Sequence, residues 1–238
     1  MSQSNCERVD ATILFDLDGT LTDSGEGITR AVEYALDRCG ITVEDRGTLG
    51  TFVGPPLLGS FRTYEGLDPK LAEQAVAWYR EYYATTGIYE QSVYPGISDM
   101  LAHLSHHGAR LLLATSKPTP YATDILAHLG LAAYFEHVVG SNFDLTRTDK
   151  AEVIAAALAA AQVHDKSRAV MVGDRMHDII GARSNGIAAV GVTYGYGSLD
   201  ELRAAEPTYL AQTVAELRDL LTRERARQGQ GGPVSSPA

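Results

Sequence analysis

An unbroken apolar run, Ala11-Thr-Ile-Leu-Phe15, opens the periodic part of the chain and stops at Asp16-Leu-Asp-Gly-Thr20. Short apolar runs bounded by turn formers predict strands covered on both faces. Four further runs have this form: Arg110 to Ala114, His137 to Gly140, Ala169 to Gly173 and Ala188 to Thr193. Between them, helical spacing predicts helices over Ile97 to His107, Tyr121 to Leu129, Lys150 to Val163 and His177 to Asn185. Gly108, Gly130 and Gly186 close three of these helices. Such alternation is the pattern of an α/β fold, a parallel sheet with helices on both faces.

Residues 24–92 break the alternation. Ile28, Val32, Leu36 and Cys39 lie at helical spacing before Gly40. A second helix follows the Asp68-Pro69 cap and first-turn pair, with Leu71, Ala75, Trp78 and Tyr82 on its apolar face. The pattern predicts an inserted α-helical cap over 24–92 and a core built from 1–23 and 93–226. Residues 227–238, rich in Gly, Pro and Ser, predict a disordered tail.

The composition leaves this picture in place and narrows the function. A chain of 238 residues with 45% hydrophobic content holds one large domain or two modest ones. A net charge of -10 argues against nucleic acid and anionic membrane as partners, since both need a positive surface. Cys6 and Cys39 form no Cys-x-x-Cys pair, so the cytoplasm is the expected compartment. The first ten residues lack a basic segment followed by an apolar one, and no apolar run approaches a membrane span.

The candidate chemistry starts at Asp16 and Asp18. Two apart along a strand exit, they point the same way, and Gly19 lets the backbone turn beside them. At roughly 4 Å and an effective dielectric near 20 such a pair repels by about 4 kcal/mol, which calls for a cation or a shared proton. Residues that end different strands of a parallel sheet converge in one crevice. Thr115-Ser116-Lys117 ends one strand, and Ala169 to Gly173 runs into Asp174-Arg-Met-His-Asp178. Asp174 and Asp178 share a face if the helix starts near Asp174; the alternative is helix capping by Asp174 with Asp178 on the surface. Four carboxylates with Lys150 as the positive partner require a metal, and oxygen donors without thiolates or paired histidines suit Mg²⁺.

Asp16 to Ser24, Ala114 to Pro118, Lys150 and Val172 to Asp178 together resemble the motifs of the haloacid dehalogenase-like phosphatases, nearest the phosphoglycolate phosphatase and 5'-nucleotidase-like branch. The resemblance covers nearly the whole chain. It implies a Rossmann-like core with a mobile helical lid. It also implies Asp16 as nucleophile forming an aspartyl-phosphate, Asp18 as general acid and base, and Thr115 and Lys150 on the transferring phosphoryl group. Asp16, Asp18 through its backbone carbonyl, Asp174 and Asp178 would hold Mg²⁺. Gly19 and Ser116 join the phosphate-binding set.

Lys117 is the rival for the phosphate lysine; Lys150 is preferred, and Lys117 is assigned to a loop or the entrance. In the cap, the loop from Thr51 to Leu57 is the candidate specificity element, with Gly54 and Pro55 presenting backbone groups, against a plain connector. Arg62 is a candidate for a substrate carboxylate or phosphate, against a solvated helix arginine. His103, His106, His107 and His177 read as helix-surface residues, and Tyr194 to Gly197 as a glycine-rich turn, against a segment that flanks the pocket. The expected function is Mg²⁺-dependent hydrolysis of a small phosphomonoester, phosphoglycolate-like or a nucleoside monophosphate. The alternatives are a hexose-phosphate mutase of the same superfamily and a non-catalytic protein that binds a phosphorylated metabolite. A small phosphorylated metabolite is the expected partner, and the chain is expected to be a monomer or homodimer.

Overall fold

The computed structural model describes residues 11–144 and 146–229. Its strands are β1 (Thr12–Phe15), β2 (Thr22–Asp23), β3 (Ser92–Val93), β4 (Arg110–Pro118), β5 (His137–Ser141), β6 (Ala169–Gly173), β7 (Ala188–Val192) and β8 (Tyr209–Ala211). The main sheet has the order β5-β4-β1-β6-β7-β8, with every neighbouring pair parallel. Its helices are α4 (Ile97–His106), α5 (Thr119–His128), α6 (Lys150–Ala160), α7 (Met176–Ser184), α8 (Leu199–Ala204) and α9 (Val214–Gly229). They follow α1 (Gly25–Arg38), α2 (Leu57–Thr63) and α3 (Ala72–Tyr83), which lie between β2 and β3.

β1 is buried along its whole length because both faces of the sheet are covered. Ile13 and Phe15 point into one core layer with Leu101 of α4 and Ile125 of α5. Leu14 points into the other, with Val153 of α6 and Ile179 of α7. This two-sided packing explains why the strand reads as a continuous apolar run. It also fixes β1 at the centre, so its carboxyl end opens onto the middle of the crevice.

The insert leaves and returns through one antiparallel ribbon, in which Thr22 pairs with Val93 and Asp23 with Ser92. Above it, α1 crosses the segment at Gly87 at close range: a Cβ on Gly27 would lie 2.0 Å from the Gly87 carbonyl oxygen. The buried face of α3 is Ala72, Ala75, Val76, Tyr79 and Tyr83, while Leu71 is exposed and Trp78 and Tyr82 are half-buried. Pro69–Leu71 forms a 3-10 turn before the α-helix begins, and its tighter winding shifts the phase from the face expected around Leu71.

Three other departures are local. β4 runs on to Pro118 although its apolar run stops at Ala114. β8 is three residues long and only partly buried, too short to stand out by periodicity. α9 continues through Gly229, past the boundary expected at 226, and 230–238 lie outside the described residues. Among the described residues no helix is long and apolar enough to cross a membrane.

Candidate active site

Past the end of β1, Asp16 and Asp18 enter the crevice with 2% and 7% of their surface exposed. Gly19 turns the chain at φ +76°, and a Cβ on it would lie 2.2 Å from Asp174 Oδ2. Its N–H donates to the Thr22 carbonyl at 2.8 Å. Gly19 therefore makes room for Asp174, and its amide is spent inside the turn rather than free for the phosphate contact expected of it.

β4 delivers Thr115, Ser116 and Lys117 through a bulge. The step from Ala114 to Pro118 on β4 spans only the step from Val139 to Ser141 on β5, so side chains are re-aimed beside the crevice. Gly140 permits this, because a Cβ there would lie 2.1 Å from the Lys117 carbonyl oxygen. Thr115 is buried and its Oγ1 accepts the Lys117 N–H at 3.2 Å. Ser116 is half-buried, and its carbonyl accepts from Ser141 Oγ at 2.8 Å.

β6 ends at Gly173 and α7 begins at Met176, so Asp174 stands at the strand exit and not on the helix. A shared helix face is thus not what joins it to Asp178. Asp178 Oδ2 accepts the Arg175 N–H at 3.1 Å, which makes Asp178 the residue that caps α7. Asp174 Oδ2 accepts the Tyr196 N–H at 2.8 Å.

Asp16, Asp174 and Asp178, all buried, bring carboxylate oxygens within 4.8 Å of one another. Lys150, the first residue of α6, places Nζ 2.9 Å from Asp16 Oδ1 and 2.8 Å from Asp178 Oδ1, and donates to the Ala114 carbonyl at 3.2 Å. The two Oδ1 atoms meet the ammonium as charge pairs outside hydrogen-bond angles, and otherwise have no partner. Burial pushes the Asp16 carboxyl up to about 6 against the pull of Lys150, with Asp178 and Asp18 adding to the rise. Burial, then Asp178 and Asp16, hold the Asp174 carboxyl well above the usual range. Burial works against the Lys150 ammonium, yet Asp16 and Asp178 together keep it above its ordinary value. Three dry carboxylates with one ammonium, offering unsatisfied oxygens and no softer donor, fit a hard divalent cation.

The Asp18 carboxylate stands outside this cluster. Its Oδ2 lies 3.1 Å from Lys117 Nζ, which donates to the Tyr83 hydroxyl at 2.6 Å. Lys117 is thus a buried, paired lysine at 8% exposure that lines the cavity beside Asp18.

A cavity of about 320 Å³ lies over Asp16, Asp18, Thr115 and Ser116, roofed by Phe52, Leu57, Tyr79 and Tyr83 of the cap. Gly54 and Pro55 line it, and Gly54 has φ +100°, a left-handed conformation open to glycine. Arg62 also lines it, but its side chain is 54% exposed and pairs with Glu73 at 3.4 Å.

Arg175 and Tyr196 brace the site from outside the carboxylate cluster. Arg175 donates Nε to Glu201 at 2.9 Å and its guanidinium also donates to the Val53 carbonyl, tying the cap loop to the Asp174 segment. Tyr196 holds Asp174 by its N–H, while its hydroxyl donates to Asp23 and accepts the Gly25 N–H at 2.7 Å. The segment Tyr194 to Gly197 is therefore part of the site wall rather than a plain turn. The glycines beside Tyr196 were the available signal: a Cβ on Gly195 would lie 2.3 Å from the Gly19 carbonyl oxygen.

An Asp-x-Asp at the end of a central parallel strand, a lysine from a later helix and two further aspartates around the exit of β6 thus meet in one crevice. The model of the haloacid dehalogenase-like hydrolases matches residues 13–192, and the chain belongs to that family. It is 47% identical over 209 residues to a 5'-nucleotidase of Pseudomonas aeruginosa, covering 88% of this chain and 94% of that one. It is 41% identical over 211 residues to the tyrosine-protein kinase PtkA of Mycobacterium tuberculosis, covering 88% and 72%. A crystal structure of a predicted phosphatase from Clostridium acetobutylicum superposes with a TM-score of 0.87 at 43% identity, covering 90% of this chain and 99% of that one. Within the family the chain is a phosphatase, a phosphoric monoester hydrolase.

Proposed function

We propose that the protein hydrolyses a small phosphomonoester with Mg²⁺, in two in-line displacements at phosphorus. The observation that carries this is the separation of the two carboxylates: Asp16 in the cluster with Lys150, Asp174 and Asp178, Asp18 apart from it on Lys117. In the first step an Asp16 oxygen attacks phosphorus, the bond from phosphorus to the leaving oxygen breaks, and Asp18 gives that oxygen its proton. In the second, Asp18 takes a proton from water as the water oxygen attacks the aspartyl-phosphate, releasing phosphate and restoring the Asp16 carboxylate. Lys150 holds Asp16 and supplies positive charge to the phosphoryl group, and the Thr115 hydroxyl is placed to donate to a phosphoryl oxygen.

Asp16, Asp174 and Asp178 would hold Mg²⁺, which when bound draws negative charge from the phosphoryl oxygens. The roof favours one of the candidate substrates. A cavity of about 320 Å³ lined by Phe52, Leu57, Tyr79 and Tyr83 suits a ring-bearing leaving group such as a nucleoside better than two-carbon glycolate. The 5'-nucleotidase relative supports the same choice.

The test is phosphate release from nucleoside monophosphates and phosphoglycolate with Mg²⁺, in wild type and Asp16→Asn. The variant is expected to lose turnover, and borohydride applied to the working wild type should leave homoserine at position 16. Retained turnover by the variant sinks the nucleophile assignment, and isomerised product without phosphate release would point to a mutase.

A further inference from the structure

Two lysines enter this site, and they are divided between the two catalytic carboxylates. Lys150 is committed to Asp16, Asp178 and the Ala114 carbonyl. Lys117 faces Asp18, and its side chain is 6% exposed. Its Nζ lies 3.1 Å from Asp18 Oδ2, donates to the Tyr83 hydroxyl at 2.6 Å and sits 4.4 Å from the centre of the Tyr83 ring. Asp18 Oδ1 is buried and has no hydrogen-bond partner. One carboxylate oxygen is therefore paired with an ammonium, and the other is buried without a partner.

Both ends of the clamp are fixed by unusual local structure. On the core side, the β4 bulge aims Lys117 into the crevice. On the cap side, Tyr83 closes α3 and is buried between Tyr79, stacked at 5.2 Å and 11°, and Tyr121 at 5.6 Å. Burial pushes the Tyr83 phenol well above its ordinary range, so it faces the ammonium as a neutral hydroxyl. A long, flexible lysine is thereby held to one position.

We propose that Lys117, clamped by the cap residue Tyr83, is a positioning residue that grips Asp18 Oδ2 and so presents Oδ1 as the atom that passes the proton to the leaving oxygen. This rests on the phosphatase reading above. An ammonium paired with Oδ2 leaves Oδ1 as the oxygen that carries the proton, and Oδ1 is the one without a protein partner. Because Tyr83 rides on the cap and Lys117 on the sheet, the proton donor takes its working orientation when the cap is seated. Neither lysine nor tyrosine exchanges a proton with substrate. Their effect is on how well the Asp18 proton reaches the oxygen as the bond to phosphorus breaks.

A positioning role of this kind has a signature that general damage lacks. An alkyl phosphate leaves as a strongly basic alkoxide and depends on protonation, whereas 4-nitrophenyl phosphate leaves as a weakly basic phenolate and hardly does. The readout is kcat/KM, which reports events up to the first irreversible step and is insensitive to the later water attack. Wild type, Lys117→Met and Tyr83→Phe are compared with Mg²⁺ on an alkyl phosphomonoester and on 4-nitrophenyl phosphate. General acid catalysis contributes about 100-fold or more, so Lys117→Met is expected to lower the alkyl-to-aryl ratio of kcat/KM by about that factor. Tyr83→Phe removes one oxygen from a well-packed ring and should lower the ratio in the same direction by about tenfold, as a weaker version of the same loss. Parallel losses on both substrates, leaving the ratio unchanged in both variants, would overturn the inference. A wild type that releases no phosphate from either substrate would instead overturn the phosphatase reading, and the positioning role with it.

Discussion

Replacing Lys150 with methionine keeps most of the side-chain volume while deleting the ammonium that stands 2.9 Å from Asp16 and 2.8 Å from Asp178. Removing one partner of a buried ion pair costs about 3–5 kcal/mol, and Lys150 serves two carboxylates, so a loss of about 4–5 kcal/mol at neutral pH is expected. At roughly 2–4 °C per kcal/mol for a chain of this size, the unfolding midpoint should fall by about 10–20 °C. The pH dependence has a definite sign. The Asp16 carboxyl is raised from 3.8 to about 6 in the folded protein, so folding loses stability as pH climbs through that window, about 3 kcal/mol in all. Lys150 limits that rise, and without it the window extends above pH 6. The gap between variant and wild type should therefore widen from pH 4.5 to pH 7.5. Urea unfolding followed by circular dichroism, in EDTA at several pH values, measures it. Adding Asp178→Asn to the variant should recover part of the loss, because one of the stranded charges disappears. A gap below about 1 kcal/mol at pH 7.5, or one that grows toward low pH, would refute the buried-pair reasoning.

The carboxylate cluster also predicts cation-linked stability. Mg²⁺ at about a hundred times its dissociation constant should add about 2.7 kcal/mol and raise the thermal midpoint by roughly 5–10 °C, an effect that Asp174→Asn should abolish. A flat melting temperature across a Mg²⁺ titration of wild type would contradict the proposed site. Gly195→Ala would put a methyl 2.3 Å from the Gly19 carbonyl oxygen and 2.5 Å from Asp174 Cβ, so phosphate release should drop at least tenfold with the fold largely retained. Unchanged activity with an intact circular dichroism spectrum would show that the wall around Tyr196 does not position Asp174.

How legible each part was follows from the physics that made it. β1, β6 and β7 read as apolar runs because both faces of the central sheet are covered, and Asp16 was placed by the end of such a run. The Lys150 contacts to Asp16 and Asp178 were recoverable because the resemblance of four short motifs brought them together. The β4 bulge was not legible: hydrophobicity stops at Ala114, and polar strand residues look like a loop. With the bulge hidden, Lys117 looked peripheral, and Tyr83, on a different element 34 positions away, gave no reason to pair with it. For Asp174 the spacing of four left a shared helix face and a helix cap both open, whereas the close approach of Gly195 and Gly197 holds it at the strand exit. Short-range pattern reveals elements, and only the packed chain reveals which side chains meet across them.

The ribbon between Thr22–Asp23 and Ser92–Val93 bears on how the chain finds its sheet. Thr12 and Arg110 are partners in adjacent strands yet stand about 98 residues apart along the chain. Once the ribbon has formed, the effective loop between them shrinks to about 28 residues, because the insert no longer lies on the path. Logarithmic loop-closure entropy makes that pairing cheaper by about 1 kcal/mol. Two pairs of residues at the neck of the cap thus convert a distant contact of the central strand into a nearly local one.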